Sequence, residues 1–86
     1  MVEWNERKLQ VLEYVDEMGE VSSHDVAKAL YLEIHNARIL LRKYHRQGLL
    51  RRYTADAYGT RIYEITAKGV ARMAWIRRQF ADEGNE

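Results

Sequence analysis

Between positions 34 and 55 the chain carries Arg38, Arg42, Lys43, Arg46, Arg51 and Arg52 and no acidic residue. Side chains of this kind pair with anions, and a guanidinium fork meets a phosphate or carboxylate at two points. Their spacing sharpens the reading. Wound at about 100° per residue, residues 33–47 separate into two faces. Ile34, Ala37, Leu40, Leu41 and Tyr44 fall on one face. His35, Arg38, Ile39, Arg42 and Arg46 fall on the other, with Asn36 and Lys43 turned toward it and His45 flanking the apolar group. The pattern predicts a helix over 33–47 with its apolar side in a core and its cationic side outside.

A helix of this width fits the major groove of double-stranded DNA, where its first residues reach base edges. Asn36 has the donor and acceptor that match adenine, and Arg38 or Arg42 the fork that matches guanine. Ile39 is a suitable neighbour for a thymine methyl group. Lys43 and Arg46 suit phosphates, which position a protein without reading sequence. A plainer account exists for part of this. Basic residues near a helix C-terminus are favoured by the helix dipole alone. That explains Lys43 and Arg46, but not Arg38, Arg51 and Arg52. A single exposed Ile is ordinary, so base contact by Ile39 stays open.

The elements around this helix follow from periodicity and stop signals. Trp4, Val11, Val15 and Met18, widened by Leu12 and Leu9, predict a first helix over 4–18, stopped at Gly19. Glu20-Val21 is too short for more than one rung of strand. Ser22 and Asp25 have capping-box spacing and open a second helix that ends near Tyr31 or Leu32. Gly48 is the expected left-handed cap of the third. Residues 49–54 and 61–65 read as two strands of a hairpin turning at Asp56-Ala57-Tyr58-Gly59, with Tyr53, Tyr63 and Ile65 expected to pack inward. Thr66 caps a last helix from 67 to about 81, with Val70, Met73, Ile76 and Phe80 as its core stripe. One domain over 1–82 and a frayed tail over 83–86 are expected.

This order of elements resembles the winged helix-turn-helix domain, particularly small transcription regulators of the MarR, PadR and ArsR kind. The stretches that carry the resemblance are "VSSHDVAKAL", "NARILLRKYHRQGLLRR" and "YEITAKG". It covers nearly the whole chain and implies an α+β fold, mostly α: three helices, a β-hairpin wing and a C-terminal helix. It also implies a DNA-binding homodimer joined through terminal helices. Such families often place Gly in the turn between the two helices of the motif, where this chain has Tyr31. A bulky side chain is costly at positive φ, so a longer or more helical turn is expected there.

The hairpin extends the cationic surface. Arg51, Arg52 and Arg61, with Tyr58 and Gly59 at the tip, suit a wing lying on a phosphate backbone or entering a narrow minor groove. Charge protection of an exposed strand edge is the alternative for Arg51 and Arg52. On the last helix Trp75 falls outside the core stripe, beside Arg78. With Trp4 and Leu9 of the first helix it is a candidate for the dimer interface, unless an arginine simply stacks on it.

Formal net charge is only +1 over 86 residues. Residues 3–33 carry eight acids against three bases, whereas 56–86 carry five of each. An acidic lobe and a basic lobe in one small domain give an oriented surface field. The chain has no cysteine, which removes disulfides and thiolate metal sites and fits a reducing cytoplasm. No apolar run approaches the length of a membrane span. His24, His35 and His45 lack a shared metal-ligand spacing, Ser22 and Ser23 read as caps, and the glycines are isolated. No catalytic site, metal or cofactor is therefore assigned, and no effector can be named. Two other functions fit the same residues: a winged-helix protein–protein module within a larger complex, and non-specific architectural DNA binding.

Overall fold

The structure, a computed structural model, describes residues 3–84, and side chains over residues 5–81. Its elements are α1 (Glu3–Met18), α2 (Ser23–Leu30), α3 (Ile34–Arg46), β1 (Leu50–Thr54), β2 (Arg61–Ile65) and α4 (Ala67–Gly84). The order and the kinds of element are those expected, and the helix and strand ends mostly move by one or two residues. Helix α4 is the exception, because it runs on to Gly84 instead of stopping near 81.

Local sequence explains most of the boundaries. At the start of α2 the Asp25 N–H donates to Ser22 Oγ at 3.3 Å, and the Ser22 N–H donates to Asp25 Oδ2 at 2.9 Å. This closes the capping box. Gly19 and Gly48 both adopt left-handed angles, at φ +85° and +79°. At the second of these the Leu49 N–H returns to the Tyr44 carbonyl at 2.9 Å, which closes α3 just before β1 begins.

The turn between α2 and α3 departs from expectation. It is neither longer nor more helical. Tyr31 itself takes the left-handed conformation, at φ 55° and ψ 45°. The Leu32 N–H then donates to the Ala27 carbonyl at 2.9 Å. Tyr31 is 96% exposed, so nothing its side chain touches offsets the backbone strain.

β1 and β2 pair antiparallel in the register Leu50–Ile65, Arg52–Tyr63 and Thr54–Arg61. Val21 adds the one rung that Glu20-Val21 has room for, exchanging hydrogen bonds with Tyr63 at 3.0 and 2.8 Å. Thr66 then knots the hairpin to both neighbouring helices. Its hydroxyl lies 2.7 Å from the Gly48 carbonyl and 3.0 Å from that of Leu49, and it accepts the Gly69 N–H at 3.0 Å.

Val11, Leu12 and Val15 of α1, Val26 of α2, Ala37, Leu41 and Tyr44 of α3, and Met73 and Ile76 of α4 form the core, with Val21, Leu49, Leu50 and Tyr63. Among the described residues two side chains of the expected stripes are exposed, and Ile34 and Phe80 are only half-buried at its edge. Met18 is exposed, because the chain turns away at Gly19. Val70 is exposed because α4 is rotated so that Gly69 faces inward. A Cβ on Gly69 would run into the Leu49 carbonyl oxygen, so only glycine lets the helix come this close to the hairpin base.

The strained turn gives a test. The left-handed conformation costs a non-glycine residue about 1–2 kcal/mol, and the flexibility of glycine gives back about 0.5–1 of that. Tyr31→Gly is expected to raise the unfolding free energy by several tenths to about 1 kcal/mol, measured by urea denaturation. A loss of stability would contradict this account of the turn.

Candidate nucleic-acid interface

Helix α3 places its two faces as the spacing requires. Ala37, Leu41 and Tyr44 are buried. On the other side His35, Asn36, Arg38, Arg42 and Arg46 are exposed, and Ile39 is 46% exposed among them. Lys43 is half-buried at the edge of this face. His45 serves a different purpose from the other two histidines. Its Nδ1–H donates to the Leu50 carbonyl at 3.0 Å, which ties the end of α3 to β1. It sits on the flank beside Leu41, facing the hairpin and not the solvent.

The hairpin does not present its arginines together. Side chains alternate along a strand, so neighbours point to opposite faces. Arg52, Arg61 and Tyr63 share the face of Leu50 and Ile65. Arg51 lies on the other face, where it pairs with Glu64 at 3.1 Å across the strands. Tyr53 is on that face too and is partly exposed, which corrects its expected inward packing. Parity with Leu50 forbids both from pointing into the core.

The hairpin tip is held by one carboxylate. Asp56 Oδ1 accepts the backbone N–H groups of Tyr58 at 3.0 Å and Thr60 at 3.1 Å. The Ala55 N–H donates to the Thr60 carbonyl at 2.8 Å, and Gly59 turns the chain at φ +78°. These bonds, those from Thr60 first, hold the Asp56 carboxyl below the usual aspartate value. Tyr58 stands at the tip, 95% exposed.

Between the tip, the outer face of α3 and the first turn of α2 lies a cleft of about 350 Å³. Arg38, Arg42, Arg61 and His24 line it together with Tyr58 and Tyr63. None of its lining residues is acidic. Periodicity and spacing do not place Ser23 or His24 on this surface. The only clue to them is Val21, whose single rung of strand draws the start of α2 against β2.

On the opposite side α1 packs on α4. Glu13 and Arg77 join them by an exposed ion pair of 2.9 Å. Lys8 is only 7% exposed, and its ammonium lies 5.6 Å from the Tyr44 ring centroid. Burial first, then the charges of Arg72 and Lys43, pull its pKa below the usual lysine value. Burial pushes the Tyr44 phenol up to about 12. By sequence Lys8 reads only as one more surface base. Trp75 is 44% exposed, and the Arg72 guanidinium stacks 5.8 Å from its ring centroid. Leu9 is partly buried against the core and shares a shallow groove with Glu6, Gln10 and Phe80. Arg78 is exposed, and the side chain of Trp4 lies outside the described residues. Among the described residues no cluster of three or more His, Cys, Asp or Glu could hold a metal ion, and no helix is long and apolar enough to cross a membrane.

No protein-family model matches the chain, and no curated protein matches its sequence. Solved structures do match its shape. A transcriptional regulator homologue from Pyrococcus horikoshii OT3 superposes with a TM-score of 0.81 at 20% identity, covering 94% of this chain and 82% of that one. The fold is the winged helix-turn-helix. MarR from E. coli in its apo form gives a TM-score of 0.80 at 13% identity, over 90% of this chain and 57% of that one. MepR is a transcription regulator of the Staphylococcus aureus multidrug efflux pump MepA. A mutant of it bound to an oligodeoxyribonucleotide gives 0.72 at 24% identity, over 94% of this chain and 59% of that one. The chain therefore spans less than two thirds of MarR and of MepR. In the terms of this fold α2 and α3 are the helix-turn-helix and the β1–β2 hairpin is the wing.

The tip of the wing titrates with Asp56. Its charged form is favoured in the folded protein, so the order it gives is present above the usual aspartate range and lost as pH falls through the depressed folded value. Amide resonances of Tyr58 and Thr60, followed by NMR from neutral to acid pH, are expected to move together with a midpoint below that of a free aspartate. Asp56→Ala should show the released tip already at neutral pH, with the core resonances unmoved. Unchanged tip amides in the variant would contradict the assignment.

Proposed function

We propose that this domain binds double-stranded DNA sequence-specifically, as a homodimeric transcription regulator. Helix α3 enters the major groove, and the wing lies on the backbone or in the adjacent minor groove. The observation that carries this reading is the solvent face of α3. Asn36, Arg38, Ile39 and Arg42 stand exposed there, directly behind the buried Ala37, Leu41 and Tyr44. Such a face offers base-reading groups at the helix start and phosphate-binding groups at its end. The bound oligodeoxyribonucleotide of the MepR mutant, a protein of the same fold, adds support.

Within this reading the wing contributes Arg52, Arg61 and Tyr58, while Arg51 is partly committed to Glu64. Lys43 and Arg46 hold phosphates beside α3. Five acids lie in α1 and none lies between residues 34 and 55, which lets a protein of net charge +1 approach DNA in one orientation.

Assembly through α1 and α4 is the second half of the reading. Arg72 covers one part of Trp75, as the stacking alternative requires, but the residue is still 44% exposed, and with Arg78 and the groove of Leu9 and Phe80 it supplies the surface. A two-fold dimer would set two α3 helices on successive turns of the major groove. Sedimentation equilibrium is expected to give a dimer, and Trp75→Ala a weaker one. A monomer at all concentrations would overturn this half alone.

Duplex binding is tested by fluorescence anisotropy at increasing salt. Affinity is expected to fall by at least about tenfold between low and physiological salt through counterion release. Arg42→Ala should cost about 1–3 kcal/mol of binding. Because Arg42 is exposed, its thermal midpoint should stay within about 4 °C of the parent. No binding even at low salt would refute the function, and an unfolded Arg42→Ala would refute the facing of α3.

A further inference from the structure

The arginines of α3 and of the wing do not lie on separate patches. Arg38 and Arg42 from α3 and Arg61 from the start of β2 line one cleft, closed on its third side by Ser23 and His24 at the start of α2. No hydrogen bond or ion pair joins the side chain of any of the three arginines to another described residue. Three guanidinium groups brought together without a carboxylate repel one another, and an anion between them removes that cost. The cleft has room for more than a lone phosphate: about 350 Å³ admits a phosphodiester and part of the sugars on either side. Arg61 also comes from a stiff place, since the Asp56 carboxylate fixes the residues just before it.

We propose that this cleft seats a single backbone phosphate of the duplex, gripped at once by Arg38 and Arg42 of α3 and Arg61 of the wing. The inference rests on the DNA-binding reading and revises it at two positions: Arg38 and Arg42 hold the backbone, and base reading falls to Asn36 and Ile39. Helix and wing then act as two jaws on one phosphodiester, which fixes the angle at which α3 enters the groove. A backbone phosphodiester offers two non-bridging oxygens, each able to accept from more than one donor, so guanidinium groups arriving from different directions can share them. Tyr58, beside them at the tip, is placed against the neighbouring sugar.

Counting phosphates tests the idea. The slope of log affinity against log salt falls by about 0.9 for each phosphate the protein no longer neutralises. Binding of a short duplex by the parent protein, Arg38→Ala, Arg61→Ala and the double variant is measured by anisotropy over a salt series. A shared phosphate is still neutralised by the arginines that remain, so each single variant and the double one are expected to lose affinity while changing the slope by well under about 0.9, with affinity losses that do not add. Two separate phosphates would give a step of about 1.8 and additive losses, and would overturn the proposal.

A second readout needs no DNA. Phosphate raises the melting temperature of folded proteins in general, so the parent protein is expected to gain more than the double variant when sodium phosphate replaces sodium chloride at equal ionic strength. Equal gains in parent and variant would overturn the cleft while leaving DNA binding intact. A larger gain in the parent, without any duplex binding, would overturn the DNA reading and leave a site for a free phosphate group.

Discussion

Helix α3 can satisfy the core in only one rotation, and the rest of the surface follows from it. Ala37, Leu41 and Tyr44 are fully covered. Burying a side chain the size of Leu or larger contributes about 1.5–3 kcal/mol. Turning the helix by one residue would lift Leu41 out and drive Arg38 or Arg42 toward the interior, where an unpaired charge costs several kcal/mol. The core therefore sets the direction of the cationic face. Among the described residues no hydrogen bond or ion pair of the Arg38, Arg42 or Arg46 side chains holds it there.

A second set of ties carries this orientation into the wing. His45 holds β1 to the end of α3, Val21 holds β2 to the start of α2, and Thr66 bridges the end of α3 and the start of α4. Gly69 lets α4 come against the Leu49 carbonyl, which locks the base of the hairpin. At the far end the tip is ordered by the Asp56 carboxylate together with the Ala55–Thr60 hydrogen bond and the turn at Gly59. The wing is thus tied at its base by these contacts and at its tip by Asp56, and this places Arg61 in the same cleft as Arg38 and Arg42.

The fold was legible because its signals are local. The Ser22–Asp25 box, Gly19, Gly48, Thr66 and the two-faced pattern of α3 each act within a few residues, and each appears where the sequence places it. What was not legible depends on contacts between distant segments. Parity along β1 separates Arg51 from Arg52, but only the register with β2 gives Arg51 its partner in Glu64. Gly69 replaces Val70 as the inward residue of α4 because of a carbonyl in the hairpin. Lys8 is buried by helices that lie far from it in sequence. Tyr31 shows a different limit: the rule that a bulky residue avoids positive φ is sound, yet the short α2–α3 connection imposes that angle regardless.

The central claim is that the solvent face of α3 and the wing together meet duplex DNA while α1 and α4 stay clear of it. NMR mapping of backbone amides during titration with a short duplex tests this most directly. The account predicts shifts concentrated at His35 to Arg42, at Ser23 and His24, and at Tyr58 to Arg61. Shifts confined to α1 and α4, with α3 and the wing unmoved, would contradict it.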